Sequence, residues 1–327
     1  MVTIKDIAQR AGVSFSTVSK ALLDSPLVKT GTKQHILAIA KEMGYQPNFA
    51  ARSLVSRKSG VIGVVWPSIE RAALSSLITN LNGELEKDGY TMLLSMSGID
   101  SAIDTFRRFQ VDAILVFGDK DKDANSPSFQ PSPIPILTYG AANYTPFSAV
   151  DVNRGQAIRL AVRHLAELGH RNIAFIGEPE THDPLQAVKI ESFRDEVIRL
   201  GLPFADDSIL KMKGLAFHDG YLAAKTMLEL QNKPTAVISG GIDLTSGILR
   251  AIAERGLRVP RDMSVVSYDN LPQMEDLDVP MTVVGVAISK ITSVIAKTLL
   301  ELIGEPDKLK TVHLEPELVV RSSSSAL

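Results

Sequence analysis

A reacting centre needs a nucleophile, an acid–base pair or a metal clamp, and the residues able to supply one are scattered in this sequence. There is no cysteine, which excludes disulfides, thiolate zinc sites and a thiol nucleophile. The six histidines are dispersed and none stands in an HExxH spacing. His164 and His170 flank a predicted helix end, where a satisfied or solvent-facing ring is the expectation. Asp206 and Asp207 lie in a polar loop. No GxxxxGK[ST] phosphate loop, GxGxxG dinucleotide turn or GxSxG nucleophile elbow is present. The reading is a protein that is not an enzyme, with no catalytic residue, cofactor or metal.

One short stretch does group its chemistry by spacing. In VSFSTVSKAL, Val13 to Leu22, helical geometry turns Val18, Ala21 and Leu22 to one side and Phe15, Ser16 and Lys20 to the other. An exposed helix start of this kind suits a duplex major groove. There, lysine donates to guanine O6 and N7, serine pairs with several bases, and an aromatic ring meets a thymine methyl. The competing reading packs Phe15 against a third helix and leaves Lys20 solvated.

The elements that must position these residues are three short helices within residues 1–46. Thr3 and Asp6 form a capping-box pair, followed by Ile4, Ile7, Ala8 and Ala11 on one apolar face and a stop at Gly12. Ser14 caps the second helix. A third is predicted over Thr32–Met43, with Ile36, Ile39, Ala40 and Met43 inward and Gly44 as its stop. Two helices joined by a short glycine-containing turn make a helix-turn-helix. Net charge supports a polyanion partner. Residues 1–59 hold nine Lys or Arg against three acids, so +6, which leaves −8 for the remainder of a chain whose total is −2. A merely solvated basic surface is the plainer alternative.

Residues 47–59, PNFAARSLVSRKS, have three basic side chains and few apolar ones. Such a segment has too little apolar surface to offset its ordering entropy when alone. From Gly60 onward, apolar runs (VIGVVW, TMLLSM, AILVFG, PILTYG, IAFIG, AVISGG, SVVSYD) alternate with helical stretches. Continuous apolar runs separated by helices predict parallel strands buried on both faces, in doubly wound α/β units. The segment DKDKDANSPSFQPSPIP reads as a polar surface loop. At 327 residues, 45% hydrophobic and 22% charged, the chain has room for two or three domains. It shows no signal peptide and no apolar run long enough for a membrane span, which fits a cytoplasmic protein.

TIKDIAQRAGVSFSTVSKAL, with the Val28…Thr32 helix start, GYQPN and AARSL, resembles the head of the LacI/GalR family of bacterial transcription regulators. The resemblance continues through ELGHRNIAFIG, KPTAV, ERGLRVPRDMSVVSYDN and VVRSS, nearly the whole chain. It implies a homodimer that binds double-stranded DNA at a near-palindromic operator. Phe15, Ser16 and Lys20 fall at base-reading positions, and Thr17 and Ser19 at phosphate-contact positions, with Thr3 and Ser14 beside them. Asn48, Ala51, Arg52, Leu54 and Val55 match a hinge helix in the minor groove, Leu54 as the wedge.

The same resemblance implies an α/β fold with an N-terminal helix-turn-helix head and a two-lobed, periplasmic-binding-protein-like body of doubly wound parallel sheets. The expected parts are the head (1–46), a hinge (47–59) and an effector-binding and dimerisation body (60–327), with lobe crossings near Val152, Val284 and Leu314. Asp269 matches the ligand-binding aspartate, with turn capping as its alternative. Lys189 stands where the family has arginine, Leu215 where an apolar ring covers the ligand, and Arg71 near the cleft mouth. The sequence departs from the family at Gly241-Ile242, with Asp243 one place late, at Gly140, and near Val286, where a glutamine is missing. The function so implied is a repressor of carbohydrate-utilisation genes controlled by a small sugar or sugar phosphate. The alternatives are control by a protein co-regulator, and a sugar-binding or sugar-modifying protein that does not bind DNA specifically.

Overall fold

The computed structural model describes residues 2–22, 24–45, 58–66, 68–118, 134–140, 145–179 and 183–327. The chain divides into two compact units, Met1–Ser59 and Gly60–Leu327.

In the first unit, α1 (Ile4–Ala11) opens with the predicted capping box: the Asp6 carboxylate accepts the Thr3 amide at 2.8 Å, and Thr3 Oγ1 accepts the Asp6 amide at 3.4 Å. Gly12 ends the helix at φ 64°, in the left-handed region that a Cβ disfavours. α2 (Phe15–Leu22) follows, with Ser14 Oγ accepting the Thr17 amide at 3.2 Å. α3 (Thr30–Glu42) starts two residues before Thr32, because the Lys29 carbonyl already accepts the Lys33 amide at 3.0 Å. Ile7, Ala8, Val18, Ala21, Val28, Ile36, Ile39 and Ala40 form the core, while Leu22 and Met43 are only half-buried at its edge. Arg10–Glu42 and Lys33–Asp24 ion pairs cross its surface.

The second unit holds two six-stranded sheets. One has the order β2-β1-β3-β4-β5-β11, from β1 (Val61–Val65), β2 (Thr91–Ser95), β3 (Ala113–Phe117), β4 (Ile136–Tyr139), β5 (Ser148–Val152) and β11 (Thr311–Leu314). The other repeats that order as β7-β6-β8-β9-β10-β12, from β6 (Ile173–Pro179), β7 (Ile209–Met212), β8 (Ala236–Ser239), β9 (Ser264–Asn270), β10 (Thr282–Ala287) and β12 (Glu317–Val319). Every pairing is parallel except β10 with β12.

Helices cover the sheets: α4 (Ala72–Lys87), α5 (Ile99–Arg108), α6 (Arg154–Glu167), α7 (Pro184–Arg199), α8 (Phe217–Glu229), α9 (Ile242–Glu254) and α10 (Ile288–Gly304). Central strands β3 and β8 are buried nearly throughout, hence their unbroken apolar sequences. The chain passes between sheets from β5 to α6, from β10 to α10, and from β11 to β12. Among the described residues, no helix is long and apolar enough to cross a membrane.

Candidate functional site

The head offers a surface built on α2. Burial of Val18 and Ala21 fixes the helix by one face, and the other face keeps its polar and aromatic groups in solvent. Phe15 is 53% exposed, which disposes of the reading that packs it against the third helix. Ser16 and Lys20 are exposed beside it, and Thr17 and Ser19 are half-buried. Ser14, Ser16 and Thr17 share hydroxyl hydrogen bonds, with Ser14 Oγ 2.8 Å from Thr17 Oγ1 and 3.1 Å from Ser16 Oγ. Thr3 is exposed at the start of α1, its hydroxyl donating to Asp6 at 2.8 Å. The first turn of α2 has no acid, so its free amides keep their partial positive charge. Asn48, Ala51, Arg52, Leu54 and Val55 lie outside the described residues.

In the body, a cavity of about 110 Å³ opens at the carboxyl ends of the parallel strands. Both sheets contribute: Phe117 and Tyr139 end β3 and β4, and Tyr268, Asp269 and Asn270 end β9. Trp66 packs edge-on against Phe117 at 4.7 Å, and Phe117 lies 5.7 Å from the Tyr139 ring, giving an aromatic floor.

Three of the four expected cleft residues meet there. Asp269 adopts φ 86°, and its Oδ2 accepts the Ile242 amide at 3.3 Å while the residue also lines the cavity. Helix capping and a place on the wall therefore coexist in one carboxylate. Lys189, on α7, is buried; its Nζ donates to the Gly240 carbonyl at 2.9 Å and sits 3.5 Å from the Tyr268 ring centroid. Burial pulls its amine down to about 7; Asp269 works against that shift, and Arg154 and Arg71 add to it. Arg71 lines the mouth, with Nε 3.8 Å from Asp243 Oδ2, and neither of these buried atoms has a hydrogen-bond partner. Burial raises the Asp243 carboxyl above its usual range. Leu215 is the exception. It lies between β7 and α8, half-buried against the main hydrophobic core, and it is not among the residues lining the cavity.

Two wall residues escaped the sequence reading. Arg154, 9% exposed, begins α6 and pairs with Asp151 through Nη1, which also donates to the Val152 carbonyl at 3.3 Å. An arginine in a first turn opposes the helix dipole, and that misfit is the sequence signal that could have found it. Gln186, 5% exposed, presents an Oε1 without a hydrogen-bond partner. It carries no comparable signal, since a glutamine suits any helix.

Comparison with known proteins agrees along the chain. The family model for bacterial regulatory proteins, lacI family, matches residues 3–48, and that for the periplasmic binding protein-like domain matches residues 162–324. Probable HTH-type transcriptional repressor ExuR of Bacillus subtilis (strain 168) is 32% identical over 334 residues, spanning 99% of this chain and 98% of that protein. Catabolite control protein A of Priestia megaterium is 29% identical over 301 residues, covering 87% and 89%. A crystal structure of the lac repressor dimer bound to operator and the anti-inducer ONPF superposes with a TM-score of 0.85 at 25% identity, covering 99% of each chain. A three-helix head with an exposed α2 face, a twice-repeated sheet with a cavity at its strand ends, and a full-length relative at this identity lead to one assignment: the chain belongs to the lacI family of bacterial regulatory proteins.

Proposed function

We propose that this lacI-family protein is a sequence-specific DNA-binding transcriptional repressor of carbohydrate-utilisation genes. It works in the cytoplasm as a homodimer on a near-palindromic operator, and a small sugar-type effector in the cleft controls it. The observation that carries this reading is the α2 face: an aromatic ring, a serine and a lysine held in solvent side by side at the start of a helix that buried Val18 and Ala21 anchor from the other side. Phe15, Ser16 and Lys20 are assigned to base edges, with Thr17, Ser19, Thr3 and Ser14 at or near phosphates. Asn48, Ala51, Arg52, Leu54 and Val55 are assigned to the minor groove on the sequence resemblance. Two relatives support the regulatory role, being named a transcriptional repressor and a catabolite control protein. The lac repressor crystallises as a dimer with both operator and an anti-inducer. The cleft supplies the sensor: Asp269 accepts ligand hydroxyls, while Arg71 and Lys189 donate.

The test is operator binding by fluorescence anisotropy across salt concentrations. Each neutralised phosphate contributes about 0.9 to the log–log slope, so affinity falls steeply with salt. Lys20→Ala lowers specific affinity by about 1–3 kcal/mol while the circular dichroism spectrum is unchanged. A flat salt curve, or Lys20→Ala binding as the parent does, contradicts the reading.

A further inference from the structure

Arg154 is a buried cation whose pairing with Asp151 uses only part of its guanidinium. It stands where the dipole of α6 disfavours positive charge, and its burial removes the water that would otherwise solvate it. Asp151 and the Val152 carbonyl take up Nη1 only. Among the described residues, no hydrogen bond engages Nε or Nη2, and the side chain lines the cavity. Gly140 keeps that approach open. It has φ +85°, and a Cβ there would sit 3.2 Å from Nη2. The guanidinium is thus anchored along one edge and free along another, which preorganises a fork for a planar or tetrahedral anion.

The rest of the wall has the same bias. Lys189 and Arg71 also line the cavity, so three basic side chains face it against the single carboxylate of Asp269. Asp151 and Asp243 pair with Arg154 and Arg71 from behind the wall, and Asp183 caps α7 through the Leu185 amide at 3.0 Å. The acceptors Asp269 and Gln186 Oε1 also line the cavity, the latter without a partner, beside apolar side chains such as Leu74, Ile288 and Ile291. An occupant that satisfies these groups has an anionic end for Arg154 and hydroxyls for Asp269 and Gln186. The geometry points to a small hydroxylated acid, a sugar bearing a carboxylate or a phosphate, whose anionic group is held by Arg154. This rests on the cleft being the effector site. It goes further in naming the ligand's charge and adding a specificity-determining residue.

The test is isothermal titration calorimetry of the full-length protein with matched sets: glucose, gluconate, glucuronate and glucose 6-phosphate, and the galactose equivalents. At least one acid binds about tenfold or more tightly than its neutral parent, as one charge-assisted fork requires. Whether the carboxylates or the phosphates lead distinguishes the two forms of acid. Arg154→Lys leaves a charge for Asp151 but removes the fork, so it folds with a near-parental melting temperature and loses most of that preference. Arg154→Gln serves as the second variant and loses the preference entirely. Neutral sugars binding as well as the acids, no acid binding at all, or Arg154→Lys keeping the full preference overturns the inference. Failure of the underlying reading has a different signature: no compound, neutral or acidic, then changes either the melting temperature or operator affinity.

Discussion

Lys189 is the group in the cleft whose charge is most open to change. Burial, with Arg154 from α6 and Arg71 ahead of α4, brings its amine down to about 7, against the opposing pull of Asp269 from β9 and Asp183 ahead of α7. An anion placed among these groups favours the ammonium form, so the amine's pKa is higher in the complex than in the empty cleft. The complex then holds more protons than its separated parts as pH rises through 7, and binding takes up a proton. Affinity for an acidic ligand is therefore full below about pH 7 and falls as pH increases above it. Calorimetry in buffers of different ionisation enthalpy measures that uptake directly; an affinity that rises with pH contradicts it. At this scale the sequence was informative where a residue type had one use. Asp269, Lys189 and Arg71 line the cavity, whereas Arg154 hid behind the Asp151 that pairs with it, and Leu215, an apolar side chain with more than one place to go, packs on the core instead.

Between elements, α8 and α9 pack backbone to backbone at two glycines. A Cβ on Gly247 would lie 2.1 Å from the Phe217 carbonyl oxygen, and one on Gly220 would lie 2.4 Å from that of Leu244. Backbone, unlike a flexible side-chain end, cannot step aside. Gly247→Ala is expected to cost about 1–3 kcal/mol or more through forced separation of the helices, read as a lower melting temperature. An unchanged melting temperature shows that the crossing is looser than drawn. The strands show how legible such elements were. The buried runs of β1, β3, β8 and β9 stand out because both faces are covered. β5 did not: Asp151 interrupts its apolar run, and that buried aspartate is met by Arg154 and by the Val152 amide. β7 and β12 were also missed, the first broken by the exposed Lys211 and the second only three residues long. The head was legible almost residue by residue, because short helices advertise their caps and their 3.6-residue period.

At the scale of the whole molecule, charge and cleft complement one another. The +6 charge of residues 1–59 favours a polyanion and the −8 charge of the remainder disfavours one. Within the body, polar contacts among the described residues join the two lobes beside the cavity. The Ala72 amide donates to Asp243 at 3.3 Å, Arg71 faces the same carboxylate, and Gln273 Nε2 donates to Ser76 Oγ at 3.3 Å. A ligand that engages Arg71 competes for that carboxylate's partner, so occupancy and the lobe contact are coupled, as control from a distance requires. The decisive measurement is the anisotropy of a labelled operator bound by the full-length protein, with and without a saturating acidic sugar. The account predicts that the ligand weakens operator affinity by about fivefold or more, and that Asp269→Asn removes the response while retaining DNA binding. Operator affinity that is identical with the cleft empty and filled would contradict it.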